Sequence, residues 1–258
     1  MRNNAGQSEI AAPAILTAGL AKKYRLAVRP TLTDFDLTLA KGEFFGLLGP
    51  NGAGKTTILS ILCGLRRPDG GRVRILGMDW AKQRRLIQTQ IGIVPQEIAL
   101  YDQLTARENL MVFGRLLGLG GGKLKEQTAK CLDIAQLSER ADHRVCSFSG
   151  GMKRRLNLVI GLLNDPLILF LDEPTVGIDT QSRHLIHQEL QRLHSQGTTL
   201  LYTTHYMEEA QELCSRVAVL DEGRILQEGA PGQLLQESAC RNLEELFLGL
   251  TGKQIRDV

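Results

Sequence analysis

Apolar and polar positions follow a strand period over the first hundred residues. Residues 32–39 alternate apolar and polar side chains, which is typical of a half-buried antiparallel strand, and residues 14–20 form another strand candidate. A compact apolar run at residues 43–48 predicts a buried strand that enters a glycine-rich turn and then a helix over residues 55–65. Further short strands are predicted at residues 72–76 and 91–94.

The middle of the chain changes to a helical pattern. Residues 105–108 read Thr-Ala-Arg-Glu, a capping box that opens a helix extending to Leu117. Two more helices are predicted over residues 123–137 and 152–163. Because residues 96–165 contain no convincing strand, we expect them to form an inserted helical subdomain.

Strands and helices alternate again after Pro166. Apolar runs at residues 167–171, 198–203 and 217–221 are separated by helical segments at residues 181–194 and 207–213. This alternation predicts an α/β fold with a mostly parallel sheet covered by helices on both faces. An amphipathic helix is expected near the end, at residues 242–248.

The predicted organisation is one large domain between two extensions. Residues 13–95 and 166–235 would form the core, including an antiparallel β part, and residues 96–165 the helical subdomain. A polar tail is expected at residues 1–12 and a helical extension at residues 236–258.

Composition narrows the possible functions. In this chain of 258 residues, 31 basic residues are interleaved with 28 acidic ones, for a net charge of +3, which argues against a nucleic-acid partner. No apolar stretch approaches the roughly 18 residues of a membrane span, and the polar N-terminus lacks the core of a secretory signal. Five scattered cysteines favour reduced thiols in the cytosol over disulfides or zinc.

A glycine-rich loop carries the clearest chemistry. Residues 49–56 fit G-x-x-x-x-G-K-[ST] between an apolar strand and a helix, an arrangement that aims backbone N–H groups at a phosphate. Lys55 would reach the β- and γ-phosphates of ATP, and the Thr56 hydroxyl would ligate Mg²⁺. The alternative is a flexible turn with a solvated lysine. The predicted ATP-contacting residues here are Gly49, Pro50, Asn51, Gly52, Ala53, Gly54, Lys55, Thr56 and Thr57.

Two carboxylates end a buried strand farther along the chain. Residues 167–171 are apolar and run directly into Asp172 and Glu173. A parallel strand delivers side chains from its carboxyl end into the ligand crevice, so Asp172 is predicted at Mg²⁺ and Glu173 at the attacking water. The alternative is two solvated acids at a turn before Pro174.

A third motif brings a resemblance to the ABC ATPase family. Ser149, Gly150 and Gly151 precede the helix at residues 152–163, where a helix N-terminus offers a second anion site. This is the position of the family's LSGGQ signature, here with Phe148 and Met152 as departures. The resemblance implies a P-loop NTPase (RecA-like) core and a head-to-tail dimer, in which the signature of one subunit closes on the ATP of the other.

The same resemblance covers roughly residues 15–232 and assigns further positions. Gln96 matches the glutamine that reaches Mg²⁺ and water, and His205 the histidine that contacts the γ-phosphate. Asp179 lies in the loop that crosses the dimer interface, although Thr180 replaces the usual proline. Tyr24 matches the aromatic residue that stacks on adenine. For His205 and Tyr24 the alternatives are an ordinary packed histidine and a strand-edge tyrosine.

The implied function is ATP hydrolysis coupled to transport. Lys55, Gln96, Glu173 and His205 would carry catalysis, while Thr56, Gln96 and Asp172 would hold Mg²⁺. The subunit would work as a homodimer or heterodimer on a separate membrane permease, at the inner face of the cell membrane, most like multidrug, lipid or polysaccharide exporters of the ABC-2 type. Two alternatives are a soluble ABC ATPase acting on nucleic acid or ribosomes and a non-catalytic ATP-binding module.

Overall fold

The computed structural model describes residues 12–252, which contain two β-sheets. The smaller sheet is antiparallel, in the order β2-β1-β4-β5. Its strands are β1 (Ile15–Lys22), β2 (Leu32–Leu39), β4 (Gly70–Ile75) and β5 (Met78–Asp79). On β2 the alternate positions Leu32, Phe35, Leu37 and Leu39 are buried, as the polar–apolar alternation predicts.

The larger sheet has six strands in the order β10-β9-β3-β8-β7-β6. They are β3 (Phe44–Leu48), β6 (Ile91–Val94), β7 (Ile168–Asp172), β8 (Thr199–Thr204), β9 (Arg216–Asp221) and β10 (Arg224–Gly229). The five strands β9, β3, β8, β7 and β6 run parallel to one another, and β10 pairs antiparallel with β9. Every residue of β3, β7 and β8 is buried, because a parallel sheet is covered on both faces.

Helices cover the larger sheet and fill the middle of the chain. They are α1 (Lys55–Leu62), α2 (Trp80–Gln88), α3 (Ala106–Leu116), α4 (Gly121–Ile134), α5 (Gly150–Ile160), α6 (Thr180–Ser195), α7 (Met207–Leu213), α8 (Pro231–Ser238) and α9 (Leu243–Thr251). The predicted capping box is present, since the Thr105 hydroxyl accepts a hydrogen bond from Glu108 N and the Glu108 carboxylate accepts one from Thr105 N.

Successive residues of the central strands divide the interior into two cores. On β3, Phe45 and Leu47 join a core with α1 and the antiparallel sheet, whereas Phe44 and Leu48 face a core built with the helices α3 to α7 and α9. The period-2 alternation of a strand buried on both faces produces this division. The predicted α/β class with an antiparallel N-terminal sheet is therefore confirmed.

Several elements were absent from the sequence-based prediction. Helix α2 carries few apolar residues, and only Trp80 and Ile87 are buried. Strand β10 has no fully buried residue, and helix α8 buries only Pro231 and Leu234. The two-residue β5 was also missed. Helix α1 ends at Leu62 rather than residue 65, because Gly64 adopts a φ of 70°.

The predicted division into subdomains stays a prediction. Described residues 96–165 contain α3, α4, α5 and two 3-10 turns, with one isolated β-bridge between Thr105 and Arg144. Most of the predicted tail (residues 1–11) and the end of the predicted C-terminal extension (residues 253–258) lie outside the described residues.

Candidate functional site

The glycine-rich loop turns tightly between β3 and α1. Gly54 precedes the helix with a φ of 110°, a conformation that residues with a Cβ rarely adopt. A Cβ on Gly49 would lie 2.4 Å from the Leu220 carbonyl oxygen, so only glycine fits this approach to β9. The loop borders a cavity of about 150 Å³ lined by Thr31, Pro50, Asn51, Gly52, Gly54, Lys55, Thr56, Thr57, Gln96 and Glu173.

Lys55 is held at the centre of this loop. Its ammonium group donates hydrogen bonds to the carbonyl oxygens of Gly49 (2.6 Å) and Pro50 (3.2 Å). Only 5% of the residue is exposed. Burial lowers the pKa of Lys55, while the nearby carboxylates of Glu173 and Asp172 act in the opposite direction. A poorly hydrated cation at the floor of the cavity favours an anionic ligand.

Three other predicted site residues meet at the Glu173 carboxylate. Its Oε1 lies 3.3 Å from Lys55 Nζ. Its Oε2 accepts a hydrogen bond of 3.2 Å from Gln96 Nε2 and lies 3.2 Å from His205 Nδ1. Four segments remote in sequence thus converge on one buried carboxylate, where a water molecule and a phosphate could be positioned together.

The backbone at Glu173 is strained. Its φ of 46° lies in the left-handed region, although the residue carries a long side chain. Its N–H donates to the carbonyl oxygen of Thr203 at 3.1 Å, which fixes this conformation against strand β8. The side chains of Glu173 and Asp172 therefore reach different partners. Glu173 lies against Lys55, whereas Asp172 Oδ1 accepts a hydrogen bond of 2.6 Å from Thr203 Oγ1.

The predicted metal ligands are oxygen donors, as Mg²⁺ requires. Because Gln96 donates through Nε2 to Glu173, its Oε1 remains the acceptor of the amide. Within residues 12–252 there is no group of three or more His, Cys, Asp or Glu side chains able to hold a metal ion.

Tyr24 lies at the edge of this region without lining the cavity. Its hydroxyl group is 3.1 Å from Thr57 Oγ1 on the first turn of α1. Arg66 covers the ring, with the guanidinium carbon 5.1 Å from the ring centroid. The predicted adenine-stacking residue is therefore beside the loop, and one of its faces is already in contact with a cation.

Ser149, Gly150 and Gly151 belong to a separate cluster. Ser149 caps helix α5 by accepting a hydrogen bond from Met152 N. A Cβ on Gly151 would lie 2.0 Å from Ser182 Oγ and 2.7 Å from Asp179 Oδ2, so this helix packs tightly against α6. Hydrogen bonds from Ser182 lower the pKa of Asp179. None of these residues is among those lining the cavity of the glycine-rich loop.

Helix α5 also carries two contacts that sequence reasoning missed. Arg154 donates to the carbonyl oxygen of Gln96 at 2.6 Å and to that of Val176 at 3.1 Å. Asn157 donates to the carbonyl oxygen of Pro95 at 3.2 Å. The helix that begins at Ser149 is thus tied to the segments of Gln96 and Asp179. A sequence signal existed, since both polar residues lie on the buried face of this helix.

A third missed residue is Glu209, whose carboxylate is buried and which is 5% exposed. Its Oε2 accepts hydrogen bonds from Thr175 Oγ1 (2.8 Å) and the Tyr202 hydroxyl (2.5 Å). Its Oε1 lies 3.4 Å from Arg183 Nε and 3.6 Å from His187 Nε2. Glu209 therefore connects α7, just after His205, to α6, just after Asp179.

The environment of Glu209 favours its charged form. Burial raises the pKa of this carboxyl, but the nearby His187 together with hydrogen bonds from Tyr202 and Thr175 outweighs burial and lowers the pKa below its ordinary value. Its position four residues after His205 in a helix was the available sequence signal.

Comparisons with known proteins agree, over most of the chain, with the family resemblance of the sequence motifs. The sequence profile of the family described as "ABC transporter" matches residues 32–176. A "Nod factor export ATP-binding protein I" from Rhizobium sp. (strain N33) is 46% identical over 92% of this chain and 77% of its own length. A protein of the same name from Paraburkholderia xenovorans (strain LB400) is 47% identical over 81% of this chain and 69% of its own.

Solved structures agree with these relatives. One described as the ATP binding subunit of an ABC transporter is similar with a TM-score of 0.82 and 27% identity, over 92% of this chain and 99% of its own. A second, a dimeric ATP-binding cassette in a post-hydrolysis state with ADP and Pi, has a TM-score of 0.75 and 28% identity, over 84% of this chain and 98% of its own.

We predict that Glu209→Gln lowers the free energy of unfolding at pH 7 by about 1–3 kcal/mol, because it removes a charged acceptor from a buried network. The folded-state pKa lies below the unfolded value, so the contribution of the wild-type carboxylate is complete above the unfolded pKa. It is lost as pH falls through the folded pKa, and the difference between the two proteins should shrink there.

Urea unfolding from pH 7 to pH 3 measures this difference, with the exposed neighbour Glu208→Gln as the matched control. A difference that stays constant over the whole range would contradict the charged role of Glu209.

Proposed function

The chain belongs to the ABC transporter family and is an ATP-hydrolysing subunit of that family, and from this premise we propose that two copies, or one copy and a related ATPase, close head to tail around two ATP molecules to drive export through a separate membrane permease. The observation that carries this proposal is the convergence of Lys55, Gln96 and His205 on the Glu173 carboxylate beside the glycine-rich loop.

Glu173 acts as the general base in this proposal. It accepts the proton of a water molecule whose oxygen attacks the γ-phosphorus, while the bond from that phosphorus to the β–γ bridging oxygen breaks. Lys55 turns from Glu173 to the phosphates, which frees the carboxylate for the water. Gln96 and His205 hold the carboxylate and the water in place through the contacts they already make with Oε2.

The remaining predicted ligands have supporting roles. Thr56, Gln96 and Asp172 would hold the Mg²⁺ that accompanies ATP, and the ion when bound supplies neutralisation of the phosphate charge. Residues 49–57 hold the phosphates through backbone N–H groups of the loop and of the N-terminus of α1. Tyr24 stacks on the adenine with the face that Arg66 leaves uncovered.

Closure of the dimer completes each site. Ser149, Gly150 and Gly151, with Asp179, meet the ATP held by the other subunit, because in their own chain they lie outside the cavity of the loop. The dimeric cassette among the similar structures supports this assembly. The helical subdomain of residues 96–165 would move with the core of residues 13–95 and 166–235 through Arg154, whose hydrogen bonds join the two. Helix α9 of the predicted extension packs into the core through Leu243, Leu246 and Phe247.

The proposed partner is a permease that holds the subunit at the inner, cytoplasmic face of the membrane. Two relatives are named as export ATP-binding proteins, which supports export as the direction of transport. The assignment to the ABC-2 type rests on the resemblance of the sequence motifs alone. Among residues 12–252 no helix is long and apolar enough to cross a membrane. A transport role therefore requires a contact with a membrane subunit.

An apolar groove of about 480 Å³ offers that contact. Helices α2, α3 and α5 and strand β6 border it, and Leu116 (74% exposed) and Leu65 (70% exposed) stand at its rim. Exposed apolar patches of this kind mark interaction surfaces. We assign this groove to a cytoplasmic segment of the permease, and it adjoins the strand that leads into Gln96.

We expect Glu173→Gln to retain ATP binding and lower the turnover number by about 100-fold or more, since proton transfer to the base is lost. ATP-dependent dimer should accumulate, and sedimentation with a phosphate-release assay measures both effects. Glu126→Gln on the exposed face of α4 is the control. Wild-type hydrolysis in Glu173→Gln would exclude this residue as the base.

Because each ATP would lie between two subunits, substitutions at Lys55 and Ser149 should impair different steps. Lys55→Ala should lose ATP binding, whereas Ser149→Ala should lose turnover by about 100-fold while the monomer binds ATP as before, since Ser149 acts on the other subunit's nucleotide. Fluorescent-nucleotide titration and ATPase assays separate the two cases. Ser147→Ala is the nearby control, and a large loss of monomer ATP affinity in Ser149→Ala would contradict the assignment.

Permease docking is tested at the groove rim. Leu116→Asp should abolish co-purification with the proposed permease, because it buries a charge in an apolar contact. ATP binding by the isolated subunit should be unchanged. Leu226→Asp, at an exposed leucine on β10 away from the groove, should co-purify normally. Normal co-purification of Leu116→Asp would place the permease elsewhere.

A further inference from the structure

The positive charge of this chain is concentrated in one segment. Residues 66–85 contain seven basic residues (Arg66, Arg67, Arg72, Arg74, Lys82, Arg84 and Arg85) and two acidic ones (Asp69 and Asp79), which gives +5. The whole chain carries +3, so the remainder carries −2. The even interleaving suggested by the composition therefore does not hold locally.

Folding arranges much of this charge around one cavity of about 570 Å³. Five cationic side chains line it: Arg66, Arg67, Arg72, Lys82 and Arg84. Strand β4, the start of α2 and the segment after α1 form its walls. The concave shape brings like charges together at a place where solvent screens them less than on a convex surface.

The floor of the cavity is rigid and largely apolar. Trp80 is 9% exposed, and its Nε1 donates a hydrogen bond of 2.9 Å to the Ile61 carbonyl oxygen. A Cβ on Gly64 would lie 2.3 Å from the indole ring, so the ring is packed directly against this turn. The cationic side chains thus surround a fixed surface.

Acidic partners for these cations are already engaged. Asp79 is the acidic residue in the lining, and its Oδ1 accepts a hydrogen bond from Ala81 N as the cap of α2. The neighbouring Asp69 accepts from Lys22 Nζ at 2.7 Å and from Lys23 N at 2.8 Å. Within the described part of the chain, the side chains of Arg67, Arg72 and Lys82 make no hydrogen bond or ion pair.

We propose that this cavity binds a phosphate-bearing anion, either a free phosphorylated compound or the headgroup of an anionic lipid. Arginine guanidinium groups match phosphate oxygens in geometry and charge, and one such ligand would relieve the repulsion among several cations at once. The site is distinct from the glycine-rich loop, since the two linings share no residue.

A single-stranded nucleic acid fits the same charges less well. Such ligands require aromatic faces on which bases stack along a groove. The one aromatic ring in the cavity lining belongs to Trp80, which is almost fully buried and anchored through its nitrogen. The volume of about 570 Å³ suits a headgroup or a small phosphorylated molecule.

The test uses the full chain with its nucleotide site saturated by MgADP, so that the probes report on the cavity. Inositol hexakisphosphate is titrated by calorimetry, and binding to phosphatidylcholine vesicles with and without phosphatidylglycerol is measured by flotation. The variant is Arg72→Gln with Lys82→Gln. Arg66 is left intact because it contacts Tyr24. The control, Lys123→Gln with Lys125→Gln on α4, removes the same charge elsewhere.

We expect wild-type binding to at least one probe, weakened about tenfold or more in the cavity variant and unchanged in the control, since two charge-assisted contacts are lost. Binding to the phosphatidylglycerol vesicles identifies a lipid headgroup, and binding to inositol hexakisphosphate alone identifies a free compound. Equal weakening by both double variants, or no binding to either probe, overturns the proposal. A single-stranded oligonucleotide that binds more tightly than both probes and depends on Arg72 and Lys82 also overturns it.

Unchanged melting temperature and ATPase activity establish that the cavity variant is folded. These substitutions lie on exposed side chains outside the catalytic site, so failure here leaves the ATPase proposal untouched.

Discussion

The contact between a buried lysine and a buried glutamate organises the nucleotide site. Lys55 and Glu173 are each about 5% exposed, and their charged groups lie 3.3 Å apart. Neither charge is stable alone in such a place, because desolvation disfavours an ionised group without a partner. Removing either residue would therefore leave the other charge buried without a partner, unless an anion replaces Glu173 as the partner of Lys55.

The strands around this pair explain why it can be held so closely. The central strands β3, β7 and β8 are buried throughout, and their carboxyl ends place Gly49, Asp172 and His205 at one edge of the sheet. The left-handed backbone of Glu173 then turns its side chain toward Lys55. A rigid scaffold thus keeps a strained residue in the position that its chemistry needs.

Two buried polar side chains outside the predicted motifs connect elements that carry site residues. Arg154 connects α5 with the segments of Gln96 and Val176, and Glu209 connects α7 with α6. Both residues are buried, and both bond to groups far away in sequence. A displacement of helix α5 would therefore reach the segments of Gln96 and Val176 directly, through the hydrogen bonds of Arg154.

By itself, the sequence determined the family, which its profile match confirms, and the α/β class, because short-range patterns carry them: the glycine-rich loop, the apolar strand ending in Asp172, and the helix cap at Ser149. Elements with a weak apolar pattern, such as α2 and β10, were not predicted from the sequence, since they bury few side chains. Only the tertiary structure decided which residues share the Glu173 carboxylate, that Glu209 is buried, and that five basic side chains line one cavity with Asp79 as the acidic residue among them. Those facts depend on contacts between residues tens to more than a hundred positions apart, and no local period records such contacts.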